Sequence, residues 1–329
     1  MPPPSSRGAA ALLASLSVPV VAAPMAGASG GALAAAVTRA GALGMIGAGG
    51  QATSRWLSQQ AETARGAGDF GVGLLAWTLP QRRDLLEATL VARPVLVSIS
   101  YGPYEQFVQP LREAGIVVAT QVGTVEEALR AVDAGVDVVV ARGSEGGGHG
   151  RSDVATLPLL QLVLDRVDLP VLAAGGICGP RGVAAVLAAG AAGAWVGTAF
   201  LLCAEATTPQ AARDRLLQAG AHDTEYSSLF DRGQRTGWPA EYGGRYLRSP
   251  FTDSWSSRVD EIGSDDEAVE QIASARERGD GEALPVYAGQ AVGSLDAGRP
   301  AAEVVADLGS GVDVLAGASR RWVRSRSAG

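Results

Sequence analysis

Residues 169–200 read LPVLAAGGICGPRGVAAVLAAGAAGAWVGTAF, and the parsing of this stretch decides the fold. Its second half belongs to an uncharged run, 183–204, long enough to span a bilayer. Gly190 and Gly193 break that run into a helix-like half and a strand-like half. A short β-rich run ending in Gly175-Gly176 stands just before it. The stretch therefore reads as consecutive strand–helix units around a parallel sheet, a buried crossover and not a membrane span.

Working outward, the same alternation extends from residue 18 to about 204. Eight β-rich apolar runs occur, at 18–23, 42–46, 70–75, 95–99, 116–120, 136–141, 171–174 and 193–196. Most are followed by Gly, Pro, Ser or Thr. An open doubly wound sheet would give the same local pattern, but eight parallel strands with right-handed crossovers close most naturally into an α/β (β/α)8 TIM barrel. One helix is especially legible: Thr124 is followed three residues later by Glu127, as in a capping box, and Gly135 stops the helix. Beyond 204 the pattern changes. Residues 220–260 hold three aromatic-and-turn clusters (226–230, 238–246, 251–255) with little periodicity, and 263–310 reads as helices. The expected organisation is a barrel over 1–219 with its core at 18–204, an appended, mostly helical segment over 220–310 folded on one end of it, and a frayed basic tail over 311–329 carrying Arg320, Arg321, Arg324 and Arg326.

Composition removes several chemistries. The chain has 329 residues, a formal charge of −7, two His, two Cys, and neither Lys nor Asn. Without Lys there is no Schiff-base aldolase, no pyridoxal-phosphate anchor and no P-loop lysine. Two isolated His and two isolated Cys make a poor zinc site, so no metal is expected. Cys178 and Cys203, far apart and without CxxC spacing, read as reduced buried thiols of a cytoplasmic protein. The acidic balance gives no nucleic-acid footprint. Arg7 followed by apolar residues to Ala23 loosely resembles an export signal, but cleavage there would remove a strand the fold needs.

Three loops carry the functional reading. Residues 141–151, ARGSEGGGHGR, follow the sixth strand, at the end of the barrel where active sites lie. Gly146, Gly147 and Gly148 let the backbone approach a flat ligand and present His149, the best catalytic candidate. Gly175 and Gly176 end the seventh strand and Gly197 and Thr198 the eighth, the two positions whose amides commonly hold a phosphate in such barrels. Pro24-Met25-Ala26-Gly27 lies just past the first strand, where Met25 could pack against a planar ring. His222 reads as a capping or interface residue, and Asp265, Asp266 and Glu267 as a solvated helix start.

Together these segments resemble the nitronate monooxygenase family, formerly 2-nitropropane dioxygenases, FMN-dependent barrel enzymes. The resemblance runs through APMAG (23–27), GALGMIGAG (41–49), QVGTVEEA (121–128), GSEGGGHGR (143–151), AGGI (174–177), GTAFL (197–201) and GQAVG (289–293). It implies FMN as cofactor, with Ala23, Pro24 and Met25 lining the flavin, Gln121 contacting it, Gly147 and Gly148 beside it, and Gly175, Gly176, Gly197 and Thr198 holding its phosphate. It also implies that His149 faces the substrate and that Gln290 is a C-terminal flavin-side glutamine. Three positions depart from the family pattern: Gly73 for a common Asn, Arg142 for a common Gln, and Ala199 for a frequent Arg. The flavin then loses polar contacts, and Arg142 either brings a cation to it or to an anionic substrate, or points into a surface ion pair. The implied activity is oxidation of alkyl nitronates by oxygen to a carbonyl compound and nitrite. The alternatives are an FMN-dependent NAD(P)H enoyl-thioester or quinone reductase of the same fold, and a flavin-free barrel acting on a sugar phosphate. The expected partners are a small-molecule substrate and oxygen, without nucleic acid or membrane; a homodimer is left open.

Overall fold

In the computed structural model, which describes residues 4–327 and the side chains of 8–321, the chain forms eleven strands. They are β1 (Val20–Ala22), β2 (Met45–Ala48), β3 (Gly71–Leu75), β4 (Leu96–Ser100), β5 (Val117–Val122), β6 (Val138–Arg142), β7 (Gly148–His149), β8 (Val171–Ala174), β9 (Gly193–Val196), β10 (Thr224–Ser227) and β11 (Gly244–Leu247). Eight of them make one parallel sheet in the order β1-β9-β8-β6-β5-β4-β3-β2. Its two ends meet where Leu43 bridges Val21, with Ala22 N–H donating to Leu43 O at 2.9 Å and Leu43 N–H to Val20 O at 3.0 Å. The barrel is as the sequence led us to expect.

Alternation along the strands divides the core in two. Val21, Leu43, Met45, Leu96, Ala119, Val138, Val140, Leu172 and Trp195 fill the barrel interior. The intervening residues, such as Val20, Ile46, Val97, Val118 and Val139, pack outward against the helices. Ala9 and Leu13 of the first helix (Pro4–Ser15) join the interior cluster with Val95, just before β4, and Val117, which starts β5. The segment that loosely resembled an export signal thus floors the barrel.

The second strand starts later than 42–46. Only Leu43 bridges there, and the regular strand begins at Met45, because Gly44 passes so close to Ala34 that a Cβ would lie 1.9 Å from its carbonyl oxygen. Thr124 caps its helix (Val125–Asp133) by accepting from Glu127 N–H, and Gly135 follows at φ +80°. The Glu127 carboxylate, however, takes Gly123 N–H at 2.7 Å. Asp265 caps the helix Asp266–Arg278 through Ala268 N–H.

Two expectations about the C-terminal third need correction. The added segment does not follow a finished barrel. The helix Ala301–Gly309 packs between Gly31–Arg39 and Pro180–Ala188 in the outer ring, and its Ala301, Val304, Val305 and Leu308 belong to the barrel's outer core. It closes the last strand–helix unit, so the intervening residues are an insertion between β9 and its helix. The final stretch is no frayed tail: Gly311–Ser327 is a helix packed on Pro180–Ala188. Arg320 and Arg321 are exposed on it, while the side chains of Arg324 and Arg326 lie outside the described residues.

The insertion has its own apolar cluster, including Leu216, Leu229, Phe230, Tyr246, Leu247, Trp255, Ile262 and Ile272. It also contains strands that 220–260 did not advertise: β10 pairs with β11, and β11 pairs with β7 in the glycine-rich loop. Among the described residues no helix is long and apolar enough to cross a membrane. Since Leu308 is fully buried in the barrel's outer core, Leu308→Ala should destabilise the whole molecule by about 2–5 kcal/mol in urea denaturation; a change near zero would show that the C-terminal helices only decorate the barrel.

Candidate active site

The site begins where β6 ends. Its last residue, Arg142, turns inward at the C-terminal mouth of the barrel, and the chain then folds back over it. Nη1 donates to Arg151 O at 3.0 Å, and Nη2 to the carbonyls of Gly146 (2.6 Å), Gly147 (3.3 Å) and Gly148 (2.8 Å). Burial pulls the pKa below the ordinary arginine value, the Tyr101 and Tyr226 hydroxyls acting the other way. A guanidinium still holds its proton there. Arg142 therefore makes no surface ion pair; its charge is spent on the carbonyl dipoles of the glycine-rich loop, although the side chain also lines the cavity.

The glycines follow from this grip. A Cβ at Gly150 would lie 2.4 Å from Arg142 Nη1, and one at Gly147 would lie 2.5 Å from Ala288 C and Gly289 N. They admit the arginine on one side and the insertion on the other. The insertion then pins the loop: Gly150 N–H donates to Gly243 O, Tyr226 OH to Gly150 O at 2.7 Å, Arg245 Nε to Ser144 O at 2.9 Å, and Gln290 N–H to Glu145 O at 2.9 Å.

On this loop His149 pairs with Gly244 across β7 and β11, and its carbonyl accepts from Tyr101 OH at 2.9 Å. Burial pushes the Tyr101 hydroxyl up to about 12, so it stays a donor at neutral pH. The imidazole Nε2 lies 2.8 Å from Asp231 Oδ1, with side-chain exposures of 12% and 8%. Its ring stacks on Trp238 at 3.5 Å and 1°, with Tyr287 tilted beside it at 5.2 Å.

These groups line one cavity of ≈ 1260 Å³. His149, Gln121, Arg142, Gly147, Gly148, Ala23, Pro24, Met25, Gly175, Gly176, Gly197 and Thr198 all border it. Gly175 and Gly176 have φ of +110° and +69°. Among the described residues, the N–H groups of Gly176, Gly197 and Thr198 have no main-chain or side-chain acceptor. Trp195 also borders the cavity, and its indole N–H is buried without a partner. Free amides at two strand ends on one cavity suit an anionic group such as a flavin phosphate. The donor set fits FMN.

Two expected site residues stand elsewhere. Gly73 is not on the cavity wall; it lies under Pro24, whose Cγ would be 2.3 Å from an added Cβ. An Asn could not stand there without displacing Pro24. Gln290 points outward, and only its N–H reaches the site loop, through Glu145. His222 is exposed and off the cavity. Cys178 borders the cavity, but burial pushes its thiol up to about 12, so it offers no thiolate. Both cysteines are free.

Asp231, Trp238, Tyr101 and Tyr287 carry no individual signal in the sequence. The aromatic clusters around 226 and 238 were visible, but nothing local in LFDRG distinguishes Asp231 from any surface aspartate.

The chain is similar to several known proteins. A family model described as nitronate monooxygenase matches residues 80–311. The nitronate monooxygenase of Neurospora crassa is 30% identical over 337 residues, covering 88% of this chain and 87% of that protein. A (3aS,4S,5R,7aS)-5-hydroxy-7a-methyl-1-oxo-octahydro-1H-indene-4-carboxyl-CoA dehydrogenase of Rhodococcus jostii is 42% identical over 166 residues, 49% of this chain. In three curated relatives the matched stretch spans only 45%, 61% and 61% of the relative's own length. Among solved structures, FabK from Thermotoga maritima superposes with a TM-score of 0.82 at 28% identity, covering 93% of this chain and 96% of that one. A nitroalkane oxidase from Streptomyces ansochromogenes superposes at 0.79 and 29%, covering 93% and 99%.

Replacing Arg142 by Gln leaves several buried carbonyls without donors. Charged hydrogen bonds of this kind contribute roughly 1.5–3 kcal/mol each, so Arg142→Gln should lower stability by about 3 kcal/mol or more and speed amide exchange across 143–151. Unchanged exchange in that loop would show that the insertion alone holds it.

Proposed function

Because the chain belongs to the nitronate monooxygenase family, we propose that it is an FMN-dependent enzyme that oxidises alkyl nitronates with molecular oxygen, yielding a carbonyl compound and nitrite. The observation that carries this reading is one cavity bordered both by a half-buried, carboxylate-paired imidazole and by free strand-end amides. Bound FMN would supply the redox chemistry, taking electrons from the substrate and passing them to oxygen.

The chain's own residues do the rest. The amides of Gly176, Gly197 and Thr198 hold the phosphate, while Ala23, Pro24, Met25 and Gln121 line the ring. Trp77, Tyr101, Trp238 and Tyr287 wall the cavity with aromatic surface, which excludes water from a reactive anion. His149 removes the α-proton of a neutral nitroalkane, a service typically worth roughly 10²–10⁴-fold.

A second reading, a reductase of enoyl thioesters or quinones fed by NAD(P)H, is favoured by one feature. Ligand pockets run roughly 300–1,000 Å³, and ≈ 1260 Å³ leaves room for a substrate larger than a short nitroalkane. The two free thiols suit a cytoplasmic location.

Anaerobic mixing separates the readings. Propyl nitronate should bleach the flavin absorption of the purified protein, with nitrite appearing when oxygen is admitted. Bleaching by NAD(P)H but not by nitronate would transfer the assignment to the reductase, and a protein unable to take up FMN would end both.

A further inference from the structure

We propose that Asp231 is a positioning residue: it fixes the tautomer of His149 and stabilises the imidazolium formed when the other ring nitrogen takes a proton from substrate. The second half of this statement rests on the nitroalkane reading above; the first does not.

An ionised carboxylate can only accept hydrogen bonds. With Asp231 Oδ1 at 2.8 Å from His149 Nε2, the proton of the neutral ring sits on Nε2 and the lone pair on Nδ1. Among the described residues nothing on the chain hydrogen-bonds Nδ1.

The ring cannot readily turn to exchange its nitrogens. It lies flat on Trp238 at 3.5 Å, and its backbone is held by Tyr101 and by pairing with Gly244. Gly244 makes room for this arrangement, since a Cβ there would stand 2.7 Å from the Tyr287 ring and 3.6 Å from His149 Nε2.

The step these groups support balances as follows. The α-C–H bond of the nitroalkane breaks, the proton goes to Nδ1, and the electron pair forms the C=N bond while the nitro oxygens take the negative charge. No oxidant is consumed. The positive charge left on the ring faces the Asp231 carboxylate along one edge and the Trp238 π-face below, both of which favour a cation. A nitronate supplied ready-made needs no such step.

Two measurements test this. The chain has two histidines, so ¹⁵N-histidine labelling yields two ring spin systems, and His222→Gln, at an exposed position off the cavity, leaves one. The wild-type His149 ring should show the Nε2–H form, and Asp231→Asn, whose amide can instead donate to Nε2, should show loss of that form. An Nδ1–H ring in the wild type would overturn the assignment. In flavin-loaded enzyme, Asp231→Asn should lower the ratio of nitroethane to propyl nitronate turnover by about 10²-fold, with Asp231→Glu recovering part of the loss. An unchanged ratio would sink the catalytic half of the proposal. If the wild type oxidises neither compound, it is the nitronate reading that fails, and the tautomer measurement still decides whether Asp231 sets the ring. Should Asp231→Asn fold poorly, the wild-type spectrum and Asp231→Glu carry the same decision.

Discussion

The guanidinium of Arg142 is the contact on which the rest of the site depends. A loop that doubles back over a barrel mouth turns several carbonyls toward its own interior, and buried carbonyls without donors are costly. The sheet cannot satisfy them, because β6 ends at Arg142. One planar side chain with a fan of donors does, at four carbonyls at once, and the glycines are the spaces it requires. With the loop drawn down in this way, β7 has a fixed edge for β11 to pair with, and the imidazole has a fixed origin.

The insertion completes what the barrel begins. It enters after β9 and returns in the helix Ala301–Gly309, so it is tied at both ends to the same strand–helix unit. Gly289 N–H donates to Thr198 Oγ1 at 3.0 Å, and Gln290 N–H holds the glycine-rich loop through Glu145. One short stretch, 289–290, thus touches both the expected phosphate end and the expected substrate end of the cavity. The cavity is walled jointly, with Trp77 and Tyr101 from the barrel and Trp238 and Tyr287 from the insertion.

Most of the barrel could be read in the sequence because each strand there is a local, self-contained pattern: an apolar run, a small or polar stop, a helix. The strand-end glycines and His149 were legible for the same reason, as they follow directly from the runs they terminate. Long-range pairing left weaker traces. β10, β11 and β7 are two to four residues long and partly polar, and they exist only because they meet one another; no periodicity announces them. Asp231 is 82 residues from its partner. Arg142 departs from the family pattern, but whether it faces ligand, solvent or its own loop depends on where the loop goes. Gly73 and Gln290 were assigned by resemblance, and the close packing of Pro24 in one case and the outward turn at Gly289-Gln290 in the other keep them off the cavity wall.

The imidazole comes from the barrel, whereas the carboxylate and indole that flank it come from a stretch inserted into the final repeat. The flanking groups of the imidazole and the free strand-end amides are therefore housed in different stretches of one gene product. Drift within that stretch can alter what flanks the ring while the strand-end amides stay as they are, an arrangement that lets one end of the cavity change on an unaltered chassis.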